Sequence, residues 1–88
     1  MNEPYRFSFF ITDVETAEKG LNEKIAVVET SCVHPQAGKT AGIVRVRFND
    51  FGIFPNPEDI AAFTSQLSLR RALAAEIKRY IKPQKPFL

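Results

Sequence analysis

From Tyr5 to Thr12 apolar and polar positions alternate. Tyr5, Phe7, Phe9 and Ile11 point one way, and Arg6, Ser8 and Phe10 the other. A period of two in a run rich in aromatics predicts a half-buried strand, and Pro4 suits its entry. Thr12-Asp13-Val14-Glu15 then fits a capping box, a hydroxyl followed three residues later by Glu. Val14, Ala17 and Leu21 fall at helical spacing, and Gly20 stands where a helix would end. Residues 13–20 are therefore read as a short helix or an ordered loop. Glu23 to Val33 is a second strand, with Ile25 and Val27 on one face and Ala26, Val28 and Cys32 on the other. A strand apolar on both faces is central or covered twice. His34 to Gly42 reads as a loop, with Pro35, Gly38 and Gly42 as breakers. Ile43 to Phe48 is a third strand, with Val44, Val46 and Phe48 inward and Arg45 and Arg47 on the opposite side. Asn49-Asp50-Phe51-Gly52 signals a turn, and Gly52 to Phe54 a short fourth strand.

The pattern changes to helical after Asn56. Asn56 is a favoured N-cap, Pro57 suits the first helical position, and Glu58 and Asp59 complement the positive end of the helix dipole. Ile60, Phe63 and Leu67 form one apolar stripe; Leu69, Leu73, Ile77, Tyr80 and Ile81 form another. On one straight helix the two stripes would be out of phase by roughly 100°. A break is therefore expected around Ser65 to Ser68, with Ser68 capping the second helix. Pro83 and Pro86 prevent helix beyond Lys82.

These elements predict an α+β fold: a three- to four-stranded antiparallel sheet with a C-terminal helical pair packed on one face. Residues 1–82 form a single domain and residues 83–88 a proline-containing tail. The expected core is Phe7, Phe9, Val44, Val46, Phe48, Ile60, Phe63, Leu73, Ile77 and Tyr80, with Phe10, Phe51 and Phe54 as further aromatic anchors. Phe10, Ile43 and either Ile25 or Val28 remain apolar on the far side of the sheet. Such a second apolar face is commonly hidden in a partner, and free sheet edges pair across two-fold axes. A homodimer or a bound protein partner is expected.

With 88 residues the chain buries only roughly 60–65% of its unfolded surface, so its core is small. One cysteine, Cys32, rules out an intrachain disulfide and fits a reducing compartment. The longest apolar run, Phe7 to Ile11, is far short of the ~20 residues that span a bilayer. A soluble, cytoplasmic protein is expected.

Charge is uneven. Residues 1–38 carry three basic and six acidic side chains, residues 39–88 nine and four. On the second helix Arg70, Arg71, Lys78 and Lys82 fall within an arc of roughly 120°, opposite the apolar stripe and beside Ala74 and Ala75. That is the geometry of a helix lying along phosphates, and also of any solvated amphipathic helix. Arg45 and Arg47, with Arg6 if the strands are neighbours, form a second candidate patch on the polar side of the sheet. Glu58 to Tyr80 has some helix-turn-helix character, but lacks the turn glycine and a third helix.

Catalytic signals are weak. Gly38-Lys39-Thr40 matches the end of a phosphate-binding loop, but Val33 stands where that loop needs its first glycine, and a strand follows in place of a helix. Cys32 and His34 share a strand face, yet one Cys–His pair supplies two ligands where structural zinc wants four. A reactive cysteine needs a lowered thiol pKa that nothing in the pattern provides. Glu15, Glu18, Glu23 and Glu29 read as a solvated acidic edge. No metal, cofactor or small-molecule substrate is expected. The function expected is a small non-enzymatic interaction module of regulator or inhibitor type, with the extended tail as a further docking element. The alternative is a nucleic-acid-binding protein using the basic helix and the sheet arginines.

Overall fold

The computed structural model describes residues 5–16, 23–35 and 38–88. Four strands, β1 (Arg6–Thr16), β2 (Lys24–His34), β3 (Gly38–Asn49) and β4 (Gly52–Pro55), form an antiparallel meander in sequence order. Helices α1 (Pro57–Phe63) and α2 (Leu67–Ile81) follow and pack on one face. The expected α+β class, the antiparallel sheet and the helical pair on one face are all present.

β1 and β3 run longer than their local pattern predicts, whereas β2 keeps its expected length, shifted by one residue. Residues 13–16, expected to start a helix or loop, continue β1 and pair with β2, Glu15 opposite Ile25 and Thr16 opposite Lys24. Residues 17–20, the rest of that expected segment, lie outside the described residues. The change of phase is absorbed by a bulge: Ile11 faces Val28 and Asp13 faces Val27, leaving Thr12 extra. The Thr12 hydroxyl donates to the Val27 carbonyl (3.2 Å), and Val14 N–H donates to the Asp13 carboxylate (2.9 Å). The expected loop from His34 to Gly42 is also largely strand. Gly38 to Gly42 pair with His34 to Thr30, and Gly38, at φ 81°, takes the left-handed conformation at the hairpin's return.

The inner face is set by cross-strand rows: Phe7–Cys32–Thr40, Phe9–Thr30–Gly42, Ile11–Val28–Val44 and Val14–Ala26–Val46. Against them pack Ile60 and Phe63 of α1 and Leu69, Leu73, Ile77 and Ile81 of α2. Gly42 lies in β3 because Phe63 lies over it: a Cβ there would stand 3.2 Å from the Phe63 ring. Val28 is wholly buried on this face, so Ile25, not Val28, belongs to the far side. Phe51, expected as an anchor, is instead 87% exposed at the β3–β4 turn, and Phe10 and Phe54 are exposed on the far side. Phe7, Phe9 and Tyr80 are half-buried against the core. A ladder of rings runs along the inner side of β1, with centroids 6.3 Å apart for Tyr5–Phe7, 5.9 Å for Phe7–Phe9 and 5.2 Å for Phe9–Tyr80.

The helix starts as its sequence dictates. Asn56 Oδ1 accepts from the N–H groups of Glu58 (2.9 Å) and Asp59 (3.1 Å). The break between the helices falls at Thr64–Gln66. Gln66, not Ser68, is the N-cap of α2, and it makes no side-chain capping bond. Ser68 sits inside the first turn, its hydroxyl 3.4 Å from that of Tyr5. α2 ends at Ile81, before Pro83. The tail is not an extended arm: Lys85–Phe87 forms a 3-10 turn, Leu88 packs against the core, and Lys24 Nζ donates to the Leu88 carbonyl.

Candidate interaction surfaces

The basic residues singled out by sequence do not form one surface. α2 lies on the inner face of the sheet, whereas Arg45 and Arg47 project from the outer face, paired opposite Val27 and Ile25. Arg6 is opposite Val33, six residues further along β2, or ~20 Å away at strand rise. Arg6, Arg45 and Arg47 therefore make no common patch.

Several of these side chains have structural partners. Arg70 turns back to the end of α1, where Nε donates to the Thr64 carbonyl (2.7 Å) and Nη2 to that of Ala61 (3.4 Å). It closes the helix terminus in place of facing a ligand. Arg45 grips Asp59 through Nε (2.9 Å) and Nη2 (3.0 Å). The paired guanidinium holds the Asp59 carboxyl below the usual carboxylate range, and Asp59 raises the Arg45 guanidinium. Arg47 lies 3.8 Å from Glu23 and covers the Phe54 ring at 5.2 Å.

Arg71, Lys78 and Lys82 are exposed. Lys78 and Lys82 join Arg79 and Lys85 around an open concavity of about 560 Å³, with Phe51 and Asp50 on its opposite wall. The pattern of the sequence puts Phe51 among the core anchors and gives Lys85 no role, whereas here both line an open surface. The available signal was a large apolar side chain in a turn otherwise made of Asn, Asp and Gly. Arg79 is itself 3.2 Å from Glu76.

The outer sheet face is the larger feature. Among the described residues no helix covers it, and its rows read Arg6–Val33–Lys39, Ser8–Ser31–Ala41, Phe10–Glu29–Ile43, Asp13–Val27–Arg45 and Glu15–Ile25–Arg47–Phe54. Phe10 is 64% exposed and Ile43 57%, flanking Glu29; Val33 and Phe54 are exposed as well. A shallow concavity follows Phe10, Glu29, Lys39 and Ile43.

Cys32 and His34 do share a strand, but Cys32 is buried among the core residues and burial pushes its thiol pKa up. That is the wrong direction for a thiolate nucleophile. The His34 ring packs on Tyr5 at 5.0 Å. Among the described residues no three His, Cys, Asp or Glu side chains are grouped to hold a metal ion, and no helix is long and apolar enough to cross a membrane. Glu23, taken as part of a solvated acidic edge, accepts from Asn49 Nδ2 (3.1 Å) and ties the sheet end together. Comparison with protein-family models, curated proteins and solved structures gives no significant match.

Proposed function

We propose that this protein is a small non-enzymatic interaction module, of regulator or inhibitor type, that binds protein through the uncovered face of its sheet. One observation carries this reading: Phe10 and Ile43 stand exposed on either side of Glu29, on a face that no helix or strand among the described residues covers. Two exposed apolar side chains around Glu29, within a rim of Arg6, Lys39, Arg47 and Glu15, fit the mixed apolar and polar make-up of a protein interface. The test compares affinity capture by the wild type and by Ile43→Asp from cells that make the protein. A bound protein lost in the folded variant supports this reading; the same bound set with both proteins overturns it.

A second reading, nucleic-acid binding, is favoured by the cations around Phe51. Lys78, Lys82 and Lys85 beside an exposed aromatic ring resemble the charge-and-stack arrangement that holds single strands. It predicts affinity for a mixed single-stranded oligonucleotide that falls steeply with salt. Replacing Phe51, Lys78 and Lys82 by Ala should abolish that affinity. Absence of salt-dependent binding by the wild type removes this reading. The sheet arginines take no part in it, because Arg45 and Arg47 lie on the other side of the sheet.

A further inference from the structure

Two independent features meet at the free edge of β1. The strand pairs with β2 on one side only, and among the described residues no further backbone bond reaches it. Such an edge offers a row of N–H and C=O groups to another strand. Its centre, Ser8 to Thr12, holds neither proline nor charge, two of the devices that block pairing; the third, a bulge, is present at Thr12 and is matched in the register below. The second feature is burial. In the same inner rows Ala26, Val28, Val44 and Val46 are completely buried, yet Phe7, Phe9, Ile11 and Val14 of β1 are only half-buried. α2 reaches β1, with Tyr80 against Phe9 and Ser68 beside Tyr5, yet leaves this row part-exposed, and a body placed against β1 would complete its burial.

We propose that this body is a second copy of the chain, which adds its β1 antiparallel across a two-fold axis at Phe10 and makes one eight-stranded sheet. The proposal goes beyond the reading of the protein as an interaction module: it places a second copy at the β1 edge and leaves the outer face free. The register follows from the bulge. With Phe10 opposite the partner's Phe10, Phe9 meets the partner's Ile11. The partner's extra residue, at Thr12–Asp13, falls opposite Ser8. Beyond it Phe7 meets the partner's Val14 and Arg6 meets the partner's Glu15. Inner residues face inner ones and outer face outer throughout, because the bulge shifts the alternation by one residue. Without the bulge Arg6 would meet the partner's Val14, on the wrong face. Apolar pairs then fill the inner side, and an Arg–Glu pair closes each end of the outer side.

Neighbouring registers do worse. An axis at Phe9 puts Arg6 opposite the bulge and leaves Glu15 unpaired. An axis at Ile11 carries Arg6 beyond the end of the partner strand. Only the axis at Phe10 uses β1 from Arg6 to Glu15 and matches its charges.

Light scattering of the full chain over a range of concentrations tests this. The wild type is expected to be a dimer. Arg6→Glu sets acid against acid at both ends and should raise the dissociation constant about tenfold. Adding Glu15→Arg in the same chain should restore it. Phe10→Cys should form an intermolecular disulfide under mild oxidation, since opposed Cβ atoms lie ~4.5–5.5 Å apart. Ser8→Cys should not, its two copies being more than ~13 Å apart along the strands. A wild type that stays monomeric overturns the proposal, as does a dimer that ignores Arg6→Glu or crosslinks equally through Ser8→Cys. A dimer broken by Ile43→Asp but not by Arg6→Glu is held through the outer face. That outcome sinks the edge pairing and leaves the interaction-module reading standing. That reading fails separately, on the capture comparison.

Discussion

Asp59 accepts from both the main chain and the side chain of Arg45: the Arg45 N–H reaches Oδ2 at 3.0 Å, and the guanidinium takes Oδ2 at 2.9 Å and Oδ1 at 3.0 Å. Asn56 N–H in turn donates to the Arg45 carbonyl at 2.9 Å. One residue of β3 thus has both backbone groups and its side chain committed to the start of α1. The helix is fixed to the sheet at its first turn, and an arginine that sequence offers as a ligand contact is a joint of the fold.

Replacing Asp59 by Ala should cost about 1 kcal/mol, because the Arg45 side chain is 55% exposed and the ion pair is screened by solvent, leaving mainly the bond from the Arg45 N–H. Denaturant titration at neutral pH measures it. An unchanged midpoint would mean that the joint is decorative.

The same joint gives a pH dependence. Arg45 holds the Asp59 carboxyl below its ordinary value in the folded state. Its stabilisation is therefore complete above the unfolded value of about 3.9 and is lost as pH falls through the folded value. The gap in stability between wild type and Asp59→Asn should narrow as pH falls from about 4 to 3. A gap that stays constant over that range contradicts the assignment.

Gly42 has Phe63 where a side chain would be. Gly42→Val should destabilise by about 1–3 kcal/mol through overpacking, although valine favours strands. A gain in thermal midpoint would show that the Phe63 ring can move aside.

Arg70 and Arg71 are adjacent in sequence and should behave differently. Arg70→Ala removes the bonds that close α1 and should cost about 1 kcal/mol. Arg71→Ala and Lys78→Ala, at exposed positions, should change stability by less than about 0.5 kcal/mol. Equal losses for Arg70→Ala and Arg71→Ala would mean that the closure of α1 contributes nothing.

Cys32 should resist a thiol reagent in the native protein and react at once in denaturant, since its sulfur is buried and its thiol pKa raised. Rapid native reaction would show that β2 opens readily.

Much of this was legible locally. Alternation fixed which residues of β1, β2 and β3 share a face, because strand periodicity is a property of neighbouring residues. Asn56-Pro57-Glu58-Asp59 placed the start of α1, because capping is satisfied within four residues. The out-of-phase stripes located the break between the helices to within two residues. The errors share one origin. Thr12-Asp13-Val14-Glu15 carries a helix-start signal, and Gly38 to Gly42 a loop signal, yet both are strand. Each lies beside β2, whose 11 residues offer backbone groups on both edges. Pairing with that ladder outweighs a capping preference worth about 1 kcal/mol.

The sequence by itself therefore determined the class of fold, the faces of its elements and the residues able to carry charge or aromatic contact. Only the tertiary structure decided how far β1 and β3 run, that Gly42 makes room for Phe63, and which cations stay exposed. Arg45 and Arg70 are bound to groups 14 and 6 residues away, respectively, and Cys32 is buried by helices that come much later in the chain. Periodicity and caps are set by neighbours along the chain; hydrogen-bond partners and burial are set by neighbours in space.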